Sequence, residues 1–489
     1  MLESAALQNW VLAVCLVCCA VPGVAADEGV HAVTEALLPV WWINGERPAP
    51  RSLEERMAHY GTPAISIAVI TSGELAWARA WGSADRNGGR PVTTRTRFQA
   101  ASISKPITAL AALLLMESGQ LDIDRPVQDY LRRWTLPATE LTEGSPVTVR
   151  RILNHTAGLS VPGFPGYDPA GPVPTVLDVL SGRGNTEAVR VGYAPGSAWQ
   201  YSGGGYTVLQ VLLEDVTGEP FAVLLDRLVL TPLEMRRSTF AQPPPAWFHA
   251  KAAVGYRADG ERVAGGAHIY PEQAAAGLWT TPSELARYLL AVRISARGEA
   301  GLLDRNTVGA MLKIGRNNHG LGPDVRKQVD GLRFGHDGGN AGFQSTMFLS
   351  LEQGYGAVIM TNSDTGFSLI GEMLQALARH YRWPGFEPEI KQPIRLGQAA
   401  LARYVGTYQL GERGRLFVEA GQGGLTVTAD FHDNTGTYLP ESEHTFFDRQ
   451  DRGSLSFEVR KGKAVALIAG GEFRAVRMDN DRARGADGS

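Results

Sequence analysis

The feature that most limits how this chain can fold is a change of rhythm near residue 397. Beyond it come about eight short β-type runs with even spacing and no helical period, among them YVGTYQL, RLFVEA, LTVTAD, HTFFDR, LSFEVR, AVALIA and FRAVRM. Such a segment can bury its apolar residues only as a small antiparallel barrel or sandwich, so residues 397–480 predict a domain of their own. WPGFEPEIKQPIRLG (383–397) reads as the linker to it, and DRARGADGS (481–489) as a disordered tail. The remaining body, 27–390, is long enough to hold a full hydrophobic core without covalent staples.

It has to do so without them. All three cysteines, Cys15, Cys18 and Cys19, lie in an apolar run that begins at Trp10. Pro22, Gly23 and the small residues Val24–Ala25–Ala26 follow, the pattern of a secretory signal peptide over 1–26, cleaved after Ala26. A short membrane anchor is the alternative, because the n-region carries Glu3 and no Lys or Arg, although the apolar run is marginal for a span. Val14 before Cys15 speaks against a lipid-modified cysteine. With the signal removed, a cysteine nucleophile and a cysteine metal site are both excluded, and the expected location is periplasmic or secreted. The formal charge of -3 and the lack of a basic stripe give no sign of a nucleic-acid partner. The ten histidines show no His–Glu–x–x–His or similar spacing, so no metal or other cofactor is expected.

Early in the body, AISIAVI (64–70) and LAWARAW (75–81) flank Ser72–Gly73 and predict a hairpin with central positions apolar on both faces. FQSTMFLSL (343–351) and GYGAVIMTN (354–362) predict further strands, followed by a helix around 367–382. Between about 120 and 300 the chain reads as helices broken by loops such as VPGFPGYDPAGPVP (161–174). Thr281–Pro282–Ser283–Glu284 has the form of an N-cap, a proline at N1 and a capping-box glutamate.

FQAASISKPITAL (98–110) holds the chemistry. Ser102 stands three residues before Lys105 where a polar run becomes an apolar helix ending near Gly119. On residues alone Ser102 is either a helix cap or a nucleophile, since a Ser–x–x–Lys spacing is weak by itself. If the helix starts at Ser102, Lys105 lies one turn later on the same face, and its amine can reach the hydroxyl. No Gly–x–Ser–x–Gly elbow occurs, which disfavours the α/β-hydrolase route to the same chemistry. His155 in LNHTAGL reads as structural and Trp279 as pocket wall or core.

FQAASISKPITAL, TVRRILNHTAGLS (148–160), PGSAWQYSGGGYTVL (195–209), PLEMRRST (232–239) and RFGHDGGNAGF (333–343), in this order, resemble the class C β-lactamase and penicillin-binding-protein-like serine hydrolases. The likeness covers roughly residues 35–382, and the last ninety or so resemble the lipocalin-like domain appended to some members. It implies an α+β fold: an antiparallel sheet with helices on its faces, an all-helical lobe beside it, and then the small β-barrel. It implies Ser102, Lys105, Tyr201 and His336 as catalytic residues, with either Lys105 or the Tyr201 phenolate as base. It assigns the oxyanion hole to the Ser102 and Gly339 backbone N–H groups. Ser202, Gly203, Asp337 and Gly338 would contact substrate, and His336 would shuttle protons or bind a substrate carboxylate.

One departure shifts the expected substrate. Gly203 stands where the family usually carries Asn, whose amide helps hold a substrate's acyl amide. Ser202 or a water could compensate. The expectation is a serine hydrolase cleaving a small ester, amide or D-amino-acid peptide through a Ser102 acyl-enzyme, tilted toward esterase or amidase. A penicillin-binding or weak β-lactamase protein, or a non-catalytic cell-wall or ligand-binding protein, is the alternative, and a homo-oligomer remains open.

Overall fold

The computed structural model describes residues 29–411, 414–430, 435–448, 453–469 and 473–478. The signal peptide and the disordered tail read from the sequence lie outside these residues.

A seven-stranded sheet organises the body. Its strands are β1 (Ala64–Thr71), β2 (Glu74–Asp85), β3 (Arg90–Pro91), β4 (Asp324–Gln328), β5 (Gly331–Asn340), β6 (Phe343–Ser350) and β7 (Gly356–Thr361), in spatial order β3-β2-β1-β7-β6-β5-β4. Every pairing is antiparallel. The hairpin therefore joins the late strands through β7, which places segments from both ends of the body in one sheet.

β1 is apolar on both faces because both are covered. Ala64, Ala68 and Ile70 face one core with helices α1 (Ser104–Glu117), α2 (Gly203–Thr217) and α3 (Pro282–Ala296). Ile65, Ile67 and Val69 face the other, against Leu369, Met373 and Leu377 of α4 (Gly366–Tyr381). This period-two division of an apolar run is what a doubly covered strand requires. β2 is covered less than its sequence suggests, with Leu75 43% exposed.

The capping box expected at 281–284 does not form. Thr281 makes no side-chain cap. The buried Glu284 instead accepts the Arg237 N–H at 2.9 Å and the Ser238 hydroxyl at 2.6 Å, tying α3 to the 235–238 turn. A tertiary donor pair outcompetes the local bond because it also satisfies a buried carboxylate.

Eight strands close the C-terminal barrel: β8 (Gly406–Gln409), β9 (Arg415–Ala420), β10 (Leu425–Ala429), β11 (Gly436–Pro440), β12 (Thr445–Asp448), β13 (Ser454–Arg460), β14 (Lys463–Ala469) and β15 (Phe473–Arg477). Tyr404, Tyr408, Phe446 and Phe457 interlock inside it with ring centroids 4.7–5.8 Å apart. The barrel is anchored to the body rather than hanging from a free linker. Glu389–Lys391 pairs in parallel with Trp41–Ile43. Trp41 then packs on Phe447 and donates to Asp448 O at 3.1 Å, and Lys391 reaches Glu441 at 2.8 Å.

Candidate active site

Ser102 is delivered to the junction of sheet and helical lobe by a short chain of bonds. Phe98–Gln99 pairs with Trp279–Thr280, and the Ala100 N–H donates to Leu278 O at 2.8 Å. The backbone then turns through Ala101–Ile103 before α1 starts at Ser104. Ala101 has φ 49°, a left-handed conformation that costs an L-residue about 1–2 kcal/mol. Strain of this kind gathers at functional turns. No side chain caps α1, so Ser102 is not the helix cap.

The Ser102 hydroxyl is bonded to Lys105, whose Nζ lies 2.9 Å from Ser102 Oγ and donates to Ala275 O at 2.9 Å. Lys105 is 1% exposed, and burial pushes its pKa down to about 7. Burial thus brings the neutral amine within reach at neutral pH. The Tyr201 hydroxyl lies near enough to Ser102 to feel it, and Lys105 Nζ lies 4.9 Å from the Tyr201 ring centre. Burial drives the phenol's pKa above its ordinary value, against the opposing pull of Ser102. The tyrosine is thus held as a phenol.

Strand β5 forms the far wall. The two-residue loop Ala341–Gly342 closes on the Asn340–Phe343 pair. The alternation of an antiparallel ladder then turns the Gly339 N–H away from β6, toward the side of the Ser102 turn. Gly338 is required by closeness, since a Cβ there would lie 2.1 Å from Ala100 O. Gly339 faces the cleft, where a Cβ would meet only Phe367 at 3.8 Å. Asp337 lines the cleft and accepts the Thr346 hydroxyl at 2.6 Å.

His336 is buried at the cleft wall, its ring 6.1 Å from Tyr201, with Nδ1 bonded to Asp337 O. Burial pushes its pKa down to about 4, against the pull of Asp324. Burial thus favours the neutral imidazole, a form suited to passing protons more than to pairing with a substrate carboxylate.

Ser202 and Gly203 also differ from expectation. The buried Ser202 is the cap of α2, accepting the Gly205 N–H and donating to Ser160 O, both at 2.8 Å. Its O–H donor is therefore already used and only an acceptor lone pair is left. Gly203 is buried as well, and a Cβ there would lie 3.0 Å from the Phe164 ring and 3.1 Å from Pro162 O. The 161–164 loop fills the space into which the family's asparagine would extend.

The sequence reading missed a cluster behind the site. His319 pairs with Asp324 at 2.9 Å, and its ring lies 4.6 Å from His155 and 6.1 Å from His336. His155 accepts the Ser202 N–H at 3.1 Å and packs 4.3 Å from Tyr201, fixing the turn that carries the tyrosine. Among the described residues no three such groups are placed to hold a metal. Trp199, Asn317, Asn318, Asp324, Arg326 and Phe367 line the cleft too. Only the left-handed Asn317–Asn318 turn, φ 53° and 57°, had a local signal, the Asn–Asn pair itself. Trp279 is core, 1% exposed.

A sheet of this order, a helical lobe against it, and a serine bonded to a buried lysine where they meet define the serine hydrolases of the β-lactamase fold. The family description "Beta-lactamase" matches residues 50–379, and the chain belongs to that family. Esterase EstB of Burkholderia gladioli is 37% identical over 198 residues, 38% of this chain and 48% of the esterase, so the match spans about half of that relative. Penicillin-binding protein 4* of Bacillus subtilis (strain 168) is 25% identical over 462 residues, 84% of this chain and 94% of its own. A D-aminopeptidase of Brucella anthropi is 24% identical over 330 residues, 65% of this chain and 60% of its own. The octameric penicillin-binding protein homologue from Pyrococcus abyssi shares the fold, with TM-score 0.58 and 22% identity over 87% of this chain and 98% of that one.

Proposed function

We propose that this protein hydrolyses small esters or amides through an acyl-enzyme on Ser102, with neutral Lys105 as the base. The observation that carries the reading is the buried Lys105 amine, 2.9 Å from the Ser102 hydroxyl and destabilised as a cation. As Ser102 Oγ bonds to the substrate carbonyl carbon, its proton passes to Lys105 Nζ. The carbonyl oxygen gains the negative charge and is received by the Ser102 and Gly339 N–H groups; donors so placed are each worth about 3 kcal/mol in the transition state. The phenol of Tyr201, kept protonated, gives its proton to the departing alkoxide or amine and is reprotonated from the Lys105 ammonium. Water then repeats the sequence on the acyl-enzyme and restores Ser102. Neutral His336 and His155 hold Tyr201 in place without adding a charge that would favour the phenolate.

An ester or simple amide is favoured over a penicillin because the 161–164 loop occupies the position from which an asparagine amide would reach an acyl amide. The apolar run that begins at Trp10, within residues 1–26, supports a periplasmic or secreted location, which N-terminal sequencing of the processed protein tests.

The experiment is intact-mass spectrometry after brief exposure to a fluorophosphonate and, separately, a penicillin, with Ser102→Ala as control. A single fluorophosphonate adduct absent from the mutant, with a weak or transient penicillin adduct, is expected. A long-lived penicillin adduct would instead indicate a penicillin-binding protein, and no adduct with either reagent would end the hydrolase reading.

A further inference from the structure

The register of β4 and β5 sets Arg326 directly opposite Arg333. Two like charges in that position repel and destabilise the strand pair, since cross-strand neighbours have Cβ atoms only about 5 Å apart. Among the described residues neither guanidinium forms an ion pair, and Arg333 Nη1 is buried without any hydrogen-bond partner. Phe386 and Phe348 hold the Arg333 guanidinium, their ring centres 4.4 and 5.6 Å away. Burial weakens its hold on its charge and Arg326 adds to that, while Tyr355 and Asp330 oppose it. A half-buried guanidinium with no ion-pair partner, set beside an exposed second cation, can receive an anion.

The pair lines a pocket of about 170 Å³, whose apolar lining includes Met347, Phe348, Leu374 and Phe386. Asp324, Arg326, His336 and Asp337 line this pocket and the Ser102 cleft alike, so the two adjoin at this end of the sheet. We infer that this pocket is a subsite for a carboxylate carried by the substrate, on a short apolar arm running from the scissile bond past Asp337; the inference rests on the hydrolase reading above. Neutral His336 cannot supply this cation, and Arg326 and Arg333 can. Asp324 and Asp337 are already engaged by His319 and Thr346. Their charges oppose a phosphate dianion more strongly than a carboxylate.

The test uses the full-length protein and two substrates with the same adipoyl chain, mono-p-nitrophenyl adipate and its neutral methyl ester. The expected ratio of kcat/KM, acid over methyl ester, is about ten or more, falling as salt is raised from about 50 to about 500 mM. Arg326→Gln and Arg333→Gln should each bring the ratio close to one, whatever happens to absolute rates, and Arg333→Lys should recover part of it. If Arg333→Gln fails to fold, the exposed Arg326→Gln carries the test. Equal turnover of both esters by the wild type, or a ratio unchanged in Arg326→Gln, overturns the subsite alone. Turnover of neither ester overturns the hydrolase reading and the subsite with it.

Discussion

At the scale of the residue, the site is governed by what burial does to ionisable groups. Lys105 has its pKa lowered from 10.5 to about 7, so kcat/KM should rise with pH through about 7 and level off above, as the neutral base is populated. A pH profile of a neutral p-nitrophenyl ester checks this; a flat profile between pH 6 and 8 would remove Lys105 as the base. The linked stability has the opposite interest. Because the folded pKa lies below the unfolded one, the penalty for burying the ammonium is full below pH 7 and is relieved as pH rises toward 10.5. Lys105→Met should therefore abolish activity by about 1,000-fold. It should nonetheless raise stability at pH 7 by an amount on the order of 2 kcal/mol, once the two lost hydrogen bonds are set against the relieved desolvation. Urea unfolding measures it.

Glu272 gives a second residue-level prediction. It is fully buried, neither carboxylate oxygen has a hydrogen-bond partner, and burial raises its pKa from 4.5 to about 7. The penalty is absent below pH 4.5, grows as pH rises to about 7, and is full above, reaching about 3 kcal/mol. Glu272→Gln should recover much of that at pH 8 and little at pH 5. Equal effects at the two pH values would show that the carboxyl has found a partner. From the sequence, Ser102 and Lys105 could be named, whereas Glu272 is one acid among 50 acidic residues, distinguished only by its burial.

At the scale of the element, the close approach of β5 to the Ser102 turn makes Gly338 the sensitive position. Gly338→Ala places a Cβ 2.1 Å from Ala100 O and should cost about 2–4 kcal/mol. In Gly339→Ala the Cβ meets only Phe367 at 3.8 Å, so stability should change by less than about 1 kcal/mol. Thermal or denaturant melts of both compare them. Gly203→Asn should not restore recognition of penicillins, because its side chain must first displace the 161–164 loop; a gain in acylation rate by a penicillin would refute that account. Element existence was readable wherever a periodic run was long, as in the hairpin and in 343–362. Element ends were not, because both Glu284 and Ser102 carry cap-like patterns, yet Glu284 bonds the distant 237–238 segment and Ser102 bonds Lys105.

At the scale of the molecule, the barrel is held to the body through Trp41 and the Trp41–Ile43 pairing with Glu389–Lys391. Trp41→Ala should expose the 392–397 segment, speeding proteolysis there several-fold, while the rate of fluorophosphonate labelling of Ser102 changes less than about two-fold. A large fall in labelling would mean that the barrel shapes the cleft.

What the sequence determined by itself was local or periodic: two folded units, the doubly covered β1, the barrel of short strands, and the one-turn separation of Ser102 and Lys105. The motif likeness extended this to Tyr201, His336 and Gly339 and to the fold that brings them together. Only the tertiary structure decided the charges and the contacts. The depth at which Lys105 and His336 are buried sets their protonation, and neither depth is written in the neighbouring residues. The loop against Gly203, the His319–Asp324 pair behind the site, and Arg326 facing Arg333 all join residues through register and packing. Such contacts depend on how separate segments meet, and no pattern within either segment carries that information.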